Sequence, residues 1–141
     1  VSGASYAIET EVAPSVPLAV LRPRQGRFDS ALVEPGPPAI LTERGIVLIY
    51  NSANAAATGD PSLPPRAYSP GQAIFDPADP TALIWRCDAP FLTADRAYEI
   101  AGQVNHVVFV EGIVPFGGRW LLYYGTADSL IGVAQGPALG A

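Results

Sequence analysis

Two stretches of this sequence repeat one pattern, and that pattern decides the fold: residues 42–53 read TERGIVLIYNSA and residues 115–127 read PFGGRWLLYYGTA. Each has a turn with glycine, an apolar run, a tyrosine and small residues ending in alanine, and Tyr50 and Tyr124 lie 74 positions apart. Short runs precede and follow each copy, which predicts antiparallel sheets of about four strands, the unit of a β-propeller blade. The alternative is that two hairpins of any all-β protein resemble each other this closely.

The rest of the chain also has the pattern of an all-β protein. Its 15 prolines and 14 glycines divide it into short runs of strand length, and no helical period extends over ten residues. The predicted strand runs are residues 18–21, 46–50, 72–75, 82–85, 104–110, 120–124 and 130–133. These runs make about two four-stranded blades, whereas propellers close with roughly four to eight blades. The sequence therefore predicts a partial propeller.

The composition of the 141 residues excludes several classes of function. The net charge is −5 and there is no lysine, so no basic patch can follow a nucleic-acid backbone. One cysteine, Cys87, rules out an internal disulfide, and with a single histidine we predict no metal site and no cofactor. No membrane partner is predicted, and residues 1–8 contain neither a charged leader nor a long apolar run. Since the sequence has no methionine, we expect it to continue a longer reading frame.

A series of short motifs runs through the chain in a specific order. They are residues 28–40 (FDSALVEPGPPAI), 45–51 (GIVLIYN), 68–73 (YSPGQA), 102–105 (GQVN), 107–112 (VVFVEG) and 123–129 (YYGTADS). The series covers about residues 18–136 and resembles glycoside hydrolase family 130, the β-mannoside phosphorylases and β-1,2-mannosidases. The resemblance implies a five-bladed β-propeller with its active site in the funnel at the axis, of which this chain matches the C-terminal part.

The resemblance also implies a domain organisation. The whole chain, residues 1–141, is predicted to be a single partial propeller domain. Its blade-like repeats are expected at about residues 28–92 and 104–136, with the end of a preceding blade in residues 1–27. The aspartate that the family uses as general acid is expected in an N-terminal part that this chain does not include.

Departures from the family pattern favour hydrolysis over phosphorolysis. Phosphorylases of the family carry a lysine near the position of Leu32 and a histidine at that of Asn51, and these basic groups hold inorganic phosphate. Leu32 and Asn51 provide no positive charge for an anion. Glu34 lies where the phosphorylases tend to have a small residue. A carboxylate there would repel phosphate and activate water, as the base of an inverting hydrolase does roughly 6.5 to 9.5 Å from the acid.

Glu34 is therefore the candidate catalytic residue, and its alternatives are a solvated acid or an ion pair with Arg27. The candidate substrate-binding residues have hydrogen-bonding side chains suited to a sugar, and the resemblance places the last of them against mannose: Asn51, Tyr68, Asn105, Tyr124 and Asp128. Less favoured candidates are Glu99, His106 and Glu111. Each also has a structural alternative, because strand tyrosines often cover a core, aspartate before serine often begins a turn, and acids often pair with arginine.

Two functions remain open from the sequence. In the first, the chain is part of an inverting β-mannosidase whose partner is a mannose-containing oligosaccharide. In the second, it is a catalytically incomplete half-propeller that binds sugar or assembles with itself. Half a propeller exposes blade edges and apolar faces, so we expect either the missing blades or a second copy as a partner, in a homo-oligomer. The sequence assigns no compartment.

Overall fold

The computed structural model describes residues 18–137, which fold almost entirely as β-strands and confirm the all-β prediction. Eight strands and one four-residue helix follow in order: β1 (Leu32–Pro35), β2 (Ile40–Thr42), β3 (Gly45–Ala53), β4 (Tyr68–Phe75), β5 (Leu83–Arg86), α1 (Ala97–Ile100), β6 (Val108–Phe116), β7 (Arg119–Thr126) and β8 (Leu130–Pro137). The strands form two antiparallel sheets, as expected of a partial β-propeller. No helix in residues 18–137 is long and apolar enough to cross a membrane.

The first sheet has the width of a propeller blade. Its strand order is β1-β3-β4-β5, and β2 also pairs with β3. β1 pairs with residues 50–53 of β3 and β2 with residues 45–47, so the two short strands lie end to end along one edge of β3. Pro37 and Pro38 separate them, because proline has no N–H group to donate to the ladder. The sheet is therefore four strands wide, with an interrupted first strand.

The second sheet, in the order β6-β7-β8, repeats the pattern of the first, as the sequence predicts. Tyr50 lies on the second strand of its sheet opposite Gly71, and Tyr124 lies on the second strand of its sheet opposite Gly132. Both tyrosine rings are buried over these glycines, where an added Cβ would overlap the ring of Tyr50 and would lie 2.8 Å from Cζ of Tyr124. Only glycine leaves room for the ring at these positions.

The two sheets share a core at one end of their strands. Ile49 of β3 packs against Val108, Val110 and Tyr124 of the second sheet. Asn51 joins the sheets through its buried side chain, since its Nδ2 donates to the carbonyl oxygen of Val110 at 2.9 Å and its Oδ1 accepts from the N–H of Val110 at 2.7 Å. Because these bonds are shielded from water, they fix the lateral position of β6 against β3.

The observed elements differ from the predicted ones in three places. Residues 18–21 do not form a strand, and residues 104–107 lie in a loop before β6. Two short strands, β1 and β2, and the helix α1 were not among the predicted runs, because they are too short or too polar for a periodic pattern. The predicted end of a preceding blade lies mostly in residues 1–17, which are outside the described residues.

Candidate functional site

A cavity of about 220 Å³ lies between the two sheets and is lined by three of the predicted site residues, Glu34, Tyr68 and Asp128. Glu34 comes from β1, Tyr68 from the first residue of β4, and Asp128 from the turn between β7 and β8. Val104, Val107 and Phe109 form the rest of the lining. The cavity therefore joins a carboxylate from each sheet with an aromatic and aliphatic wall.

The carboxylate of Glu34 is exposed to the cavity and has no ion-pair partner among residues 18–137. Its strand is held by the register of β1 against β3, in which Glu34 lies opposite Asn51. Arg27, the alternative partner considered from the sequence, instead approaches Asp88 at 3.5 Å. A carboxylate that is held by the backbone but unpaired is free to accept a proton from a bound molecule.

An aromatic pair forms one wall of the cavity. The rings of Tyr68 and Phe109 lie 6.2 Å apart between centroids and are tilted by 50°. The N–H of Tyr68 donates to the carbonyl oxygen of His106 at 2.8 Å, which ties the start of β4 to the loop before β6. The partly exposed Tyr68 hydroxyl has no hydrogen-bond partner among the described residues, so it remains available to a ligand.

Asp128 is presented to the cavity by a tight turn. Ala127 and Asp128 have positive φ angles of 47° and 52°, and the N–H of Ser129 donates to the carbonyl oxygen of Thr126 at 2.9 Å. Positive φ at two successive central residues is typical of a type I′ turn, which asparagine and glycine adopt more easily. The loop before β6 supports this strained turn, since the N–H of Val104 donates to the carbonyl oxygen of Ala127 at 3.2 Å.

A family model described as β-1,4-mannooligosaccharide phosphorylase matches residues 6–139 of the chain. The chain belongs to glycoside hydrolase family 130.

Relatives within family 130 include enzymes named for both chemistries. A 1,2-β-oligomannan phosphorylase from Thermoanaerobacter sp. (strain X514) is 33% identical over 82% of this chain and 36% of its own length. The solved structure of a glycosyl hydrolase from Bacteroides ovatus is 48% identical, with a TM-score of 0.82 over 84% of this chain and 33% of that one. Another structure, of GH130 glycoside hydrolases that target β-1,2-mannosidic linkages in Candida mannan, gives the same identity, TM-score and coverage. The chain thus spans about a third of the length of these relatives.

The structure places two of the predicted binding residues of this family-130 chain in the core instead of in the cavity. Asn51 is fully buried and bonded to Val110, as described above. Tyr124 is buried, and its hydroxyl donates to Oε1 of Glu99 at 2.7 Å. Neither side chain is among those that line the cavity. The sequence does not reveal this, because the choice between core and cavity depends on which sheet face the side chain occupies.

None of the four remaining candidates lines the cavity. Asn105 is exposed, and its Oδ1 accepts from the N–H of Gly102 at 3.4 Å. His106 has a positive φ of 57°, and its backbone, which bonds to Ile100 and Tyr68, shapes the loop before β6. Glu111 is exposed at the bulge of β6, where it has no partner in the register with β7. Glu99, in α1, is 2% exposed and accepts a hydrogen bond from the Tyr124 hydroxyl.

Glu99 and Tyr124 form a neutral tyrosine and ionised carboxylate pair. Burial by itself raises the pKa of Glu99, but hydrogen bonds from the Tyr124 hydroxyl and from the N–H groups of Arg96 and Asp95 outweigh it, so that pKa lies below its ordinary value. Burial and the adjacent carboxylate raise the pKa of the Tyr124 hydroxyl. The pair therefore keeps one charge state at neutral pH.

A second buried acid, Asp29, is a structural centre that the sequence reasoning missed. It is fully buried and accepts hydrogen bonds from the Tyr50 hydroxyl at 2.9 Å, from Arg86 at 2.6 Å and from Arg24 at 2.8 Å. Arg86 also lies over the Tyr50 ring, 4.9 Å from its centroid. The repeat contained a signal for this centre, because Asp29 and Glu99 each precede the first strand of a sheet and each bind the repeated tyrosine. No cluster of metal-ligating side chains occurs within residues 18–137.

Proposed function

We propose that the chain is part of an inverting glycoside hydrolase that acts on β-mannosides, and that it supplies the general base, Glu34. The observation that carries this proposal is the charge of the cavity: Glu34 and Asp128 line it, and none of its lining residues within residues 18–137 is basic. A phosphorylase must hold a phosphate anion beside the sugar, and two carboxylates without a cation oppose that. The attacking water of an inverting hydrolase, in contrast, needs only a general base and space beside the sugar.

The roles of the other cavity residues follow from their chemistry. Tyr68 and Phe109 offer a ring surface to the apolar face of a sugar, and the Tyr68 hydroxyl and the Asp128 carboxylate reach its hydroxyl groups. The general acid is proposed to come from a part of the fold outside this chain. Although the sequence predicts Asn51 and Tyr124 as sugar contacts, we assign them a structural role, since their polar atoms bind Val110 and Glu99.

Similarity within the family supports the same branch. The chain is 48% identical to the structure of the family-130 hydrolases that target β-1,2-mannosidic linkages, against 33% to the curated oligomannan phosphorylase. The position of Asn51 also fits, because a buried amide that holds the backbone of Val110 offers no positive charge to phosphate.

A chimera tests this proposal, with the chain replacing the matching third of the Bacteroides ovatus glycosyl hydrolase. Incubated with β-1,2-mannobiose, it should release free mannose of inverted α configuration at the same rate with and without phosphate, as followed by NMR. Glu34→Gln should lower kcat by about 100-fold or more. The matched control is Glu111→Gln, an exposed carboxylate outside the cavity, which should retain full activity. Mannose 1-phosphate as the product, or an active Glu34→Gln variant, would refute the proposal.

A second candidate function is that of a self-assembling or sugar-binding half-propeller. The observation that favours it is the outer face of β8, where Ile131 and Val133 are 83% and 58% exposed. Apolar side chains in a row on an edge strand favour association. Sedimentation of the isolated chain tests self-assembly. A monomer at micromolar concentration contradicts it, whereas a dimer that Ile131→Glu dissociates supports it.

A further inference from the structure

A second, larger cavity, here called the tryptophan cleft, lies between the sheets at the opposite end of their strands. Its volume is about 560 Å³, and one wall contains Val47, Ile74 and Trp85, which are in register across β3, β4 and β5. Trp120, the second residue of β7, provides the facing wall. Trp85 and Trp120 are the only tryptophans of the chain, so every tryptophan of the sequence lines this cleft.

The cleft has the composition of a binding pocket. At the other end of the same strands, Ile49 and Val110 close the space between the sheets, but around Trp85, which is 45% exposed, the space stays open. Four polar side chains also line it. The Thr42 hydroxyl donates to the carbonyl oxygen of Gly45 at 2.9 Å, whereas the side chains of Gln72, Glu43 and Arg44 have no hydrogen-bond or ion-pair partner within residues 18–137. Ligand pockets of roughly 300–1,000 Å³ typically combine an apolar, aromatic lining with a few such polar groups.

We propose that the tryptophan cleft is a second carbohydrate site, which binds a short mannooligosaccharide away from the cavity of Glu34. The identity of the sugar rests on the proposed function. The two indole rings present flat apolar surfaces to the C–H faces of a pyranose, while the amide of Gln72 and the charged groups of Glu43 and Arg44 match its hydroxyls. Trp120 lies six residues from Thr126 at the cavity end of β7, about 20 Å at ~3.3 Å per residue, so the two sites hold separate sugar units.

The two tryptophans make the cleft directly observable. In a ¹⁵N-resolved NMR spectrum of the 141-residue chain, the indole N–H groups of Trp85 and Trp120 give two signals that report on the cleft alone. Titration with β-1,2-mannobiose should shift both indole signals saturably, with a Kd in the range of about 0.1–10 mM. Arg44→Ala, an exposed position whose side chain is unpaired within residues 18–137, should weaken binding about tenfold. Arg119→Ala is the matched control, since that arginine binds Gln135 outside the cleft and should leave Kd unchanged.

Variants of the other cavity separate this proposal from the function proposed above. Asp128→Ala should leave the indole shifts and their Kd unchanged. If the chimera of the previous section showed no hydrolase activity, the indole shifts measured on the 141-residue chain would still be expected, because they do not depend on catalysis. Indole signals that stay fixed at about 20 mM mannobiose would overturn the second site. Indole shifts that disappear in Asp128→Ala would also overturn it, because they would then originate in the cavity of Glu34.

Discussion

Asp29→Asn is expected to destabilise the chain far more than Glu99→Gln, although the two acids occupy equivalent places in the repeat. Both are buried and both accept a hydrogen bond from the repeated tyrosine. Asp29 also neutralises two guanidinium groups, those of Arg24 and Arg86. The other partners of Glu99 are backbone N–H groups, which carry no charge. Asparagine at position 29 would therefore leave two cations without their buried counter-charge.

The magnitude follows from the exposure of the partners. Removing one member of a buried ion pair costs about 3–5 kcal/mol. The side chain of Arg86 is 7% exposed and that of Arg24 is 27% exposed, so water partly screens the second cation and the loss for Asp29→Asn lies near 3 kcal/mol. Glutamine at position 99 still accepts hydrogen bonds from neutral donors, which limits that loss to about 1 kcal/mol. For a chain of this length the difference corresponds to roughly 8 °C in Tm.

Urea unfolding followed by tryptophan fluorescence measures both losses on one scale, provided that the m-values of the variants agree. Asp88→Asn is the matched control, because its side chain is 71% exposed and lies 3.5 Å from Arg24 and Arg27. That change should alter the free energy of unfolding by less than about 0.5 kcal/mol. A loss for Glu99→Gln equal to or larger than that for Asp29→Asn would refute the reasoning from charge.

Three further predictions concern the scaffold. Because the pKa of Glu99 is lowered from its ordinary value of 4.5, the stabilisation from its carboxylate is complete above pH 4.5 and is lost as the pH falls through the folded-state pKa. The difference in unfolding free energy between the unchanged chain and Glu99→Gln should therefore shrink in urea titrations below pH 4.5. Gly71→Ala should cost about 2–3 kcal/mol, because the new Cβ overlaps the buried Tyr50 ring. Gly136→Ala, whose added Cβ would have no atom of residues 18–137 within 4 Å apart from its chain neighbours, should cost less than about 1 kcal/mol in the same assay. Asn51→Leu should cost about 2–4 kcal/mol in urea unfolding, because it leaves the N–H and carbonyl groups of Val110 unpaired; unchanged stability with lost mannobiose binding would instead favour a sugar contact for Asn51.

The sequence predicts the repeated hairpins well because their signals are local. Glycine-containing turns and apolar runs of strand length mark β3 and β7, and the tyrosines 74 positions apart occupy the same place in each sheet. β1 carries no comparable signal, since it has four residues and ends at Pro35. The helix α1 is a single turn, too short for a helical period, and Glu99 stabilises its start by accepting backbone N–H groups.

The site is harder to predict than the fold, because it depends on the direction in which each side chain points. Glu34, Tyr68 and Asp128 meet in one cavity although they come from three separate parts of the chain. Tyr124 looks equally suited to bind a sugar, but its ring is buried and its hydroxyl is held by Glu99. A shift of one residue along a strand reverses the face of the sheet, and no single sequence reveals that register.

The register of the two sheets also explains how the cavity is constructed. Glu34 lies opposite Asn51, the residue after Tyr50, and Phe109 lies opposite Gly125, the residue after Tyr124. Glu34 and Phe109 are therefore equivalent positions on the first strands of their sheets, and both line the cavity. In a propeller the first strand of every blade faces the axis, so equivalent positions converge there. Both sheets share the scaffold of tyrosine, glycine and buried acid, while the converging position carries a carboxylate in one sheet and an aromatic ring in the other. Under the proposed function, this asymmetry would serve the attacking water on one side and the sugar on the other.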